Sequence, residues 1–206
     1  MSCLHAEISS KNTFRLVDDS GQLILISINN NTLDVKQQPK ALFPLSFSTE
    51  HPVIKDLYLN GSENSISILK NDLALHQIYH DCFYTCGEWS PTKNSVFFAL
   101  TSDGCIHVYD LLQNDELPIE IKAITSCRLV SITFACLLNK QYLGMAAQDG
   151  SSYILKLPKE LHRSVNDLDE FTAVIDRLKS AKNWTAEGKI EMKSPQLSYK
   201  ASNYIK

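Results

Sequence analysis

Glycine and proline are scarce, seven of each in 206 residues. That excludes a collagen-like repeat and a flexible linker, both of which need far more of them. Long hydrophobic runs are missing too. Residues 129–138 form the longest near-apolar stretch, about half of the roughly 20 residues that a membrane-spanning helix requires, and Ser131 and Thr133 interrupt it. Residues 1–14 lack the apolar centre of a secretory signal. Neither sign of charge is in excess: 20 Lys+Arg stand against 23 Asp+Glu, a net charge of −3. This excludes the basic footprint of a nucleic-acid binder or a polybasic membrane sensor, and the short apolar runs argue against membrane insertion. There is no C-x-x-C pair, and the six cysteines (Cys3, Cys82, Cys86, Cys105, Cys127, Cys136) sit mostly inside apolar runs. Reduced, buried thiols in an intracellular chain are expected, rather than a disulfide framework.

Catalytic signatures are equally absent. No G-x-x-x-x-G-K-[ST] phosphate loop and no G-x-G-x-x-G occurs. Ser90 lies in Gly87-Glu88-Trp89-Ser90-Pro91, which lacks the spacing of a nucleophile elbow, and Pro91 marks a turn instead. His76, His80, Cys82 and Cys86 could be imagined as a metal site. On strands, residues four apart do not converge as they do on a helix, and no second Cys pair at zinc spacing accompanies them. Strand-end histidines and buried cysteines are the favoured reading; no catalytic residue, cofactor or metal is assigned. A part for His80-Asp81 in a hydrogen-bond network within the fold is the alternative.

What is present is a repeat. Short β-rich runs flank turns at Asp18-Asp19-Ser20-Gly21, Asn60-Gly61-Ser62-Glu63-Asn64, Thr101-Ser102-Asp103-Gly104 and Gln148-Asp149-Gly150. The turns centre near residues 20, 62, 103 and 149, spacings of roughly 40–46 residues that match a propeller-blade repeat. Asp103-Gly104 and Asp149-Gly150 supply the positive-φ residue that tight hairpins need. Phe97 and Phe98 are adjacent on one strand, so both being apolar predicts burial on two faces, and Trp89 is expected in the core. Residues 117–122 alternate as an outer strand should. His107, between Ile106 and Val108, should face away from both.

The chain accordingly divides at about residue 160. Residues 1–160 read as all-β, about four blades of a WD40-type β-propeller and part of a larger ring. The first unit starts so close to Met1 that little room remains for a complete blade, and the β-rich region is placed from about residue 12. Residues 161–206 read as a C-terminal amphipathic α-helix followed by a polar tail. Ser164 or Asn166 can cap this helix, and Leu168, Phe171, Val174, Ile175 and Leu178 line one apolar stripe. Packing of this stripe on the propeller itself is the favoured reading. Docking on a partner through Leu168, Phe171, Ile175, Leu178 and Trp184 is the functional alternative.

The segment 88–115 carries the most specific pattern: Trp89-Ser90-Pro91-Thr92, then Phe97-Phe98, a turn, and Tyr109-Asp110-Leu111-Leu112. It resembles a blade of the dynein intermediate chains, in which a Trp stands where Tyr109 stands here. Residues 168–178 and Trp184-Thr185-Ala186-Glu187-Gly188-Lys189 look most like the end of the larger intermediate chain of cytoplasmic dynein 2, the retrograde intraflagellar-transport motor. Axonemal intermediate chains are the alternative within the family, and a generic WD40 adaptor the alternative outside it. The resemblance implies a non-catalytic scaffold that binds a dynein heavy chain alongside other intermediate and light chains. Light chains would bind a segment preceding the propeller. The implied locations are the cytoplasm, the cytoskeleton, the cilium and the ciliary base.

Overall fold

The computed structural model describes residues 3–10, 13–18, 23–29, 32–37, 44–71, 73–138, 140–162 and 167–187. Among the described residues, fifteen strands fall into four antiparallel sheets that follow one another along the chain. Sheet I holds β1 (Cys3–Ser10), β2 (Thr13–Asp18), β3 (Leu23–Asn29) and β4 (Thr32–Gln37). Sheet II holds β5 (Leu45–Glu50), β6 (Leu57–Ser62), β7 (Ser65–Lys70) and β8 (Leu73–Tyr79). Sheet III holds β9 (Tyr84–Trp89), β10 (Val96–Thr101), β11 (Cys105–Asp110) and β12 (Glu120–Ala123). Sheet IV has three strands, β13 (Leu129–Leu137), β14 (Lys140–Ala147) and β15 (Ser152–Lys156). A short 3-10 turn (Lys159–Leu161) and helix α1 (Asp167–Glu187) follow.

Each sheet is an up-and-down meander in sequence order, and the first strands lie side by side: β1 against β5, β5 against β9, β9 against β13. This is the arrangement of propeller blades, in which inner strands meet and outer strands diverge. The repeat expected from the turn spacing is present, with one correction. Sheet I is a complete four-stranded sheet beginning at Cys3, not a truncated unit beginning near residue 12. Residues 4–8 (Leu-His-Ala-Glu-Ile) alternate apolar and polar, which is strand periodicity, and short connections fit four strands into 35 positions from Cys3 to Gln37.

Sheet III explains why four such units need one another. Its central strand β10 is buried along its whole length. Val96, Phe98 and Leu100 point into an apolar core shared with Leu143, Met145 and Ala147 of sheet IV. Phe97 and Ala99 point into a second core shared with Phe47, Leu57 and Ile66 of sheet II. The two-residue period of the strand sends neighbouring phenylalanines to different blade interfaces. Complete removal of Phe97 and Phe98 from water, each worth roughly 1.5–3 kcal/mol, depends on both neighbours.

Close approach also fixes small residues. The Phe47 ring lies over Gly87 of β9 so tightly that an added Cβ would sit 2.4 Å from it. Gly104, at the β10–β11 turn, has φ +82°, and a Cβ there would meet the Thr125 carbonyl oxygen at 2.1 Å. Gly150 has the same kind of backbone, φ +87°, but open space around it.

Helix α1 packs across sheets II and III. Phe171, Ile175 and Leu178 are buried in the same core as Leu57, Leu75, Trp89 and Tyr109. The helix runs to Glu187, further than the apolar stripe ending at Leu178 predicts; Ala181, Lys182, Ala186 and Glu187 are good helix formers by intrinsic propensity. The expected caps Ser164 and Asn166 lie outside the described residues, as do residues 188–189 of the tail and the side chain of Trp184. Among the described residues, no helix is long and apolar enough to cross a membrane.

Candidate interaction surface and its supporting networks

Trp89 ends β9 and is 1% exposed. Its indole meets the Phe97 ring edge-on at 5.4 Å, the His51 ring at 4.9 Å and the Phe171 ring at 6.0 Å. His51, just past β5, is fixed from both ring nitrogens. Its Nδ1 accepts from the Val53 and Ile54 amides at 3.1 and 2.9 Å, and its Nε2 donates to the Asn94 carbonyl at 3.0 Å. The same ring stacks on Phe171 at 5.6 Å. One histidine thus joins sheet II, sheet III and α1. The sequence pattern does not single it out, because His51-Pro52 reads only as a loop; its partners are 38 and 120 residues away along the chain (Trp89, Phe171).

Asp110 closes β11 and is 1% exposed. Its Oδ1 accepts from the Ser95 hydroxyl at 2.7 Å and the Leu112 amide at 3.1 Å. Its Oδ2 accepts from Lys93 Nζ at 2.8 Å and Gln113 Nε2 at 2.9 Å. Burial alone would raise this carboxyl, but the Lys93 ammonium, the Ser95 hydroxyl and the Leu112 amide more than offset it and hold it below the usual range. Ser90 caps the preceding turn, its Oγ accepting from the Thr92 and Lys93 amides at 3.4 and 3.3 Å. Pro91 is exposed at that turn. The Thr92 hydroxyl donates to Gln141 Oε1 at 2.6 Å, and Lys93 Nζ donates to the Glu160 carbonyl at 3.0 Å. The Trp-Ser-Pro-Thr-Lys segment therefore ties sheet III to sheet IV and to the turn after it.

Tyr109 stacks face to face on Phe97, centroids 4.6 Å apart at 11°, and its hydroxyl bonds the Tyr84 hydroxyl at 2.7 Å. Burial pushes the Tyr109 phenol up to about 12, and pushes Tyr84 higher still. Asp103 and Asp149 are exposed at their hairpins, where each accepts from a neighbouring hydroxyl, Thr101 and Ser151 respectively. His107 faces away from Ile106 and Val108, toward Tyr84. Burial first, and the neighbouring His80 second, lower its pKa to about 4 and keep the ring neutral. The cysteines depart from the expectation of full burial: Cys82, Cys86, Cys105 and Cys127 are half-buried and Cys136 is exposed, all five as free thiols. Cys82 and Cys86 are each pushed up to about 11, chiefly by desolvation, so neither is a thiolate nucleophile at neutral pH. The imagined four-residue cluster is not assembled. His76 Nε2 bonds the Asp115 carbonyl and Cys86 packs against the sheet III–IV core, whereas His80 and Cys82 meet His107.

The helix side chains divide. Phe171, Ile175 and Leu178 are consumed by the chain's own blades, and Arg177 reaches Asp115 at 3.3 Å on the sheet III side. Leu168 is partly exposed. Among the described residues the two most exposed apolar side chains lie at sheet IV instead, Leu138 at 84% and Ile154 at 77%, with Leu137 beside Leu138 at 62%; Leu33 of sheet I, at 65%, is uncovered too. Leu138 sits at the tip of the β13–β14 hairpin with φ +50°, a conformation that leucine adopts at a cost. β15 is the outermost strand of a three-stranded sheet in which sheets I to III have a fourth.

Sequential meanders joined at their inner strands, Asp-Gly hairpins and a buried aspartate closing the third strand define a set of WD40-type propeller blades. The family described as "Dynein axonemal intermediate chain 3 WD40 domain" matches residues 44–157, which span sheets II to IV. The chain belongs to that family. It is similar to "Dynein axonemal intermediate chain 3" of Mus musculus, 24% identical over 190 residues, covering 82% of this chain and 20% of that protein. The Homo sapiens protein of the same name is 26% identical over 132 residues, 61% of this chain and 15% of the relative. "Dynein, 70 kDa intermediate chain, flagellar outer arm" of Chlamydomonas reinhardtii is 29% identical over 79 residues, 38% of this chain and 14% of that protein. The chain spans a fifth or less of the length of these curated relatives.

Proposed function

We propose that this chain acts as a non-catalytic scaffold in an axonemal dynein complex, its blades forming part of a surface that binds a dynein heavy chain. The family match across sheets II to IV carries this reading. The side-chain arrangement supports it. The buried histidine, aspartate and tyrosines are bonded to one another or to turns, which suits rigid presentation of loops rather than bond-making chemistry. The uncovered Leu137, Leu138 and Ile154 on sheet IV supply apolar area of the kind that a further blade or a partner subunit covers. Light chains and other intermediate chains belong to the same assembly in this reading.

The retrograde intraflagellar-transport assignment rests on the resemblance of residues 168–178 and 184–189 alone. The axonemal reading takes precedence because the relatives are named as axonemal and flagellar intermediate chains. A tagged chain expressed in ciliated cells tests both. Co-purification with a dynein heavy chain, in the salt extract of demembranated axonemes, is the expected result. Recovery with a heavy chain only in the membrane-plus-matrix fraction would transfer the chain to intraflagellar transport, and recovery with no heavy chain would sink the scaffold reading.

A further inference from the structure

The link from β8 to β9 crosses from sheet II to sheet III, and it brings His80 and Cys82 against His107 of β11. One ligand atom from each of these three side chains lies within 4.8 Å of the other two. The His80 and His107 rings meet edge-on with centroids 4.7 Å apart. His80 Nδ1 is buried and has no hydrogen-bond partner, an arrangement that is costly unless something else occupies the nitrogen. His107 Nδ1 is engaged by the Tyr84 hydroxyl at 3.3 Å, which orients the ring and leaves Nε2 as its donor. Metal-binding histidines are held through the opposite ring nitrogen in this way. Tyr84 is itself held by the Tyr109 hydroxyl at 2.7 Å.

We propose that His80, Cys82 and His107 form a binding site for a zinc-class divalent metal ion that staples the β8–β9 link to sheet III. Two imidazoles and one thiol are the donor set that borderline-soft zinc takes, and a water completes four-coordination. Zinc at about 2.1 Å from nitrogen and about 2.3 Å from sulfur needs donor atoms about 3.5 Å apart. Binding would therefore require the donors, now within 4.8 Å of one another, to draw together by rotation of the half-buried His80 and Cys82 side chains. The backbone around them is already pinned: the His80 amide donates to the Asn64 carbonyl at 3.0 Å, and the Phe83 carbonyl accepts from the Ser102 amide at 2.9 Å. On binding, the Cys82 S–H bond breaks, a Zn–S bond forms and the proton leaves to solvent. His107 lies 25 residues beyond Cys82 in the chain, so spacing alone does not reveal the set.

The full-length chain, stripped by chelator and titrated with cobalt(II) as a spectroscopic probe and zinc as competitor, provides the test. One equivalent of cobalt should bind with tetrahedral absorption and a sulfur-to-metal charge-transfer band, and zinc should displace it. Cys82→Ser should remove the charge-transfer band and His80→Gln should weaken binding at least tenfold. Tyr84→Phe, which spares the three donors, should weaken it by about 10–100-fold while far-UV circular dichroism stays unchanged. Cys136→Ser, altering an exposed thiol, should change nothing. Absence of a cobalt–thiolate band in the parent chain, or its persistence in Cys82→Ser, would overturn the site. Loss of the band in Cys136→Ser would overturn it as well, by showing that an exposed thiol holds the metal. Because the readout is metal binding, the outcome is independent of whether a dynein heavy chain is the partner.

Discussion

Replacing Trp89 by alanine should cost the chain much of its stability, and the structure says where the loss falls. The indole is 1% exposed and touches His51 of sheet II, Phe97 of sheet III and Phe171 of α1. Its removal leaves a cavity walled by three separate elements, none of which can collapse without displacing the others. Large-to-small changes at such aromatic sites cost about 3–5 kcal/mol. For a chain of this size each kcal/mol moves the melting midpoint by about 2–4 °C, so a fall of roughly 6–20 °C is expected. Trp89→Phe is the informative companion. Indole Nε1 is buried without a hydrogen-bond partner, so phenylalanine loses ring volume but no bond, and should cost less than half as much. Thermal melts by circular dichroism on both variants provide the measurement, with limited proteolysis reporting on α1, which should become cleavable in Trp89→Ala first. An alanine variant that melts within about 2 °C of the parent would refute the assignment of Trp89 as the junction of blades and helix. Equal losses in the alanine and phenylalanine variants would show that the indole nitrogen, not the ring volume, matters.

Other consequences follow from the same geometry. Asp110→Asn removes a buried charge that is hydrogen-bonded four times, and should destabilise by roughly 1.5–3 kcal/mol at pH 7. Since the folded carboxyl lies below the usual value, the parent's advantage over this variant is fully present above the unfolded value of about 3.9. It is lost as the pH falls through the depressed folded value. Urea midpoints of the two proteins should therefore converge in acid, and a constant gap down to the lowest pH would contradict the ion-pair account. Gly104→Ala and Gly150→Ala separate strain from crowding. Both positions have positive φ, costing about 1–2 kcal/mol for a side chain, but only at Gly104 would the new Cβ strike a carbonyl, 2.1 Å away. Denaturant melts should show Gly104→Ala as clearly the worse of the two; similar losses would mean that the backbone angle alone decides.

Much of the fold is legible in the order of the residues, for identifiable reasons. The blade period, the Asp-Gly hairpins, the outer strand near residues 117–122 and the apolar stripe of α1 are all local features. Turn chemistry and residue periodicity specify them within a few neighbours. The opposite burial of Phe97 and Phe98 also follows locally, because a strand alternates faces. The start of sheet I is harder to read, because the alternation in residues 4–8 mixes apolar residues with histidine and glutamate over a very short span. The full length of α1 is equally hard to read, because the apolar stripe ends at Leu178 whereas helix propensity continues to Glu187.

Residue order is enough to define the class of protein: a β-repeat of blade length, without catalytic motifs, carrying the Trp-Ser-Pro-Thr segment and the aspartate-closed strand of an intermediate-chain blade. Which residues meet is settled only by the folded arrangement of the sheets. It puts His51 against Trp89 and Phe171, turns the helix stripe inward onto sheets II and III, and leaves Leu137, Leu138 and Ile154 uncovered on sheet IV. It also replaces an imagined cluster of His76, His80, Cys82 and Cys86 with His80, Cys82 and His107. The physical reason is common to all of these. Hydrogen-bond geometry and strand alternation act over a few residues and leave a local imprint. Contacts between blades join residues tens of positions apart, and which of them meet depends on the register and twist of whole sheets.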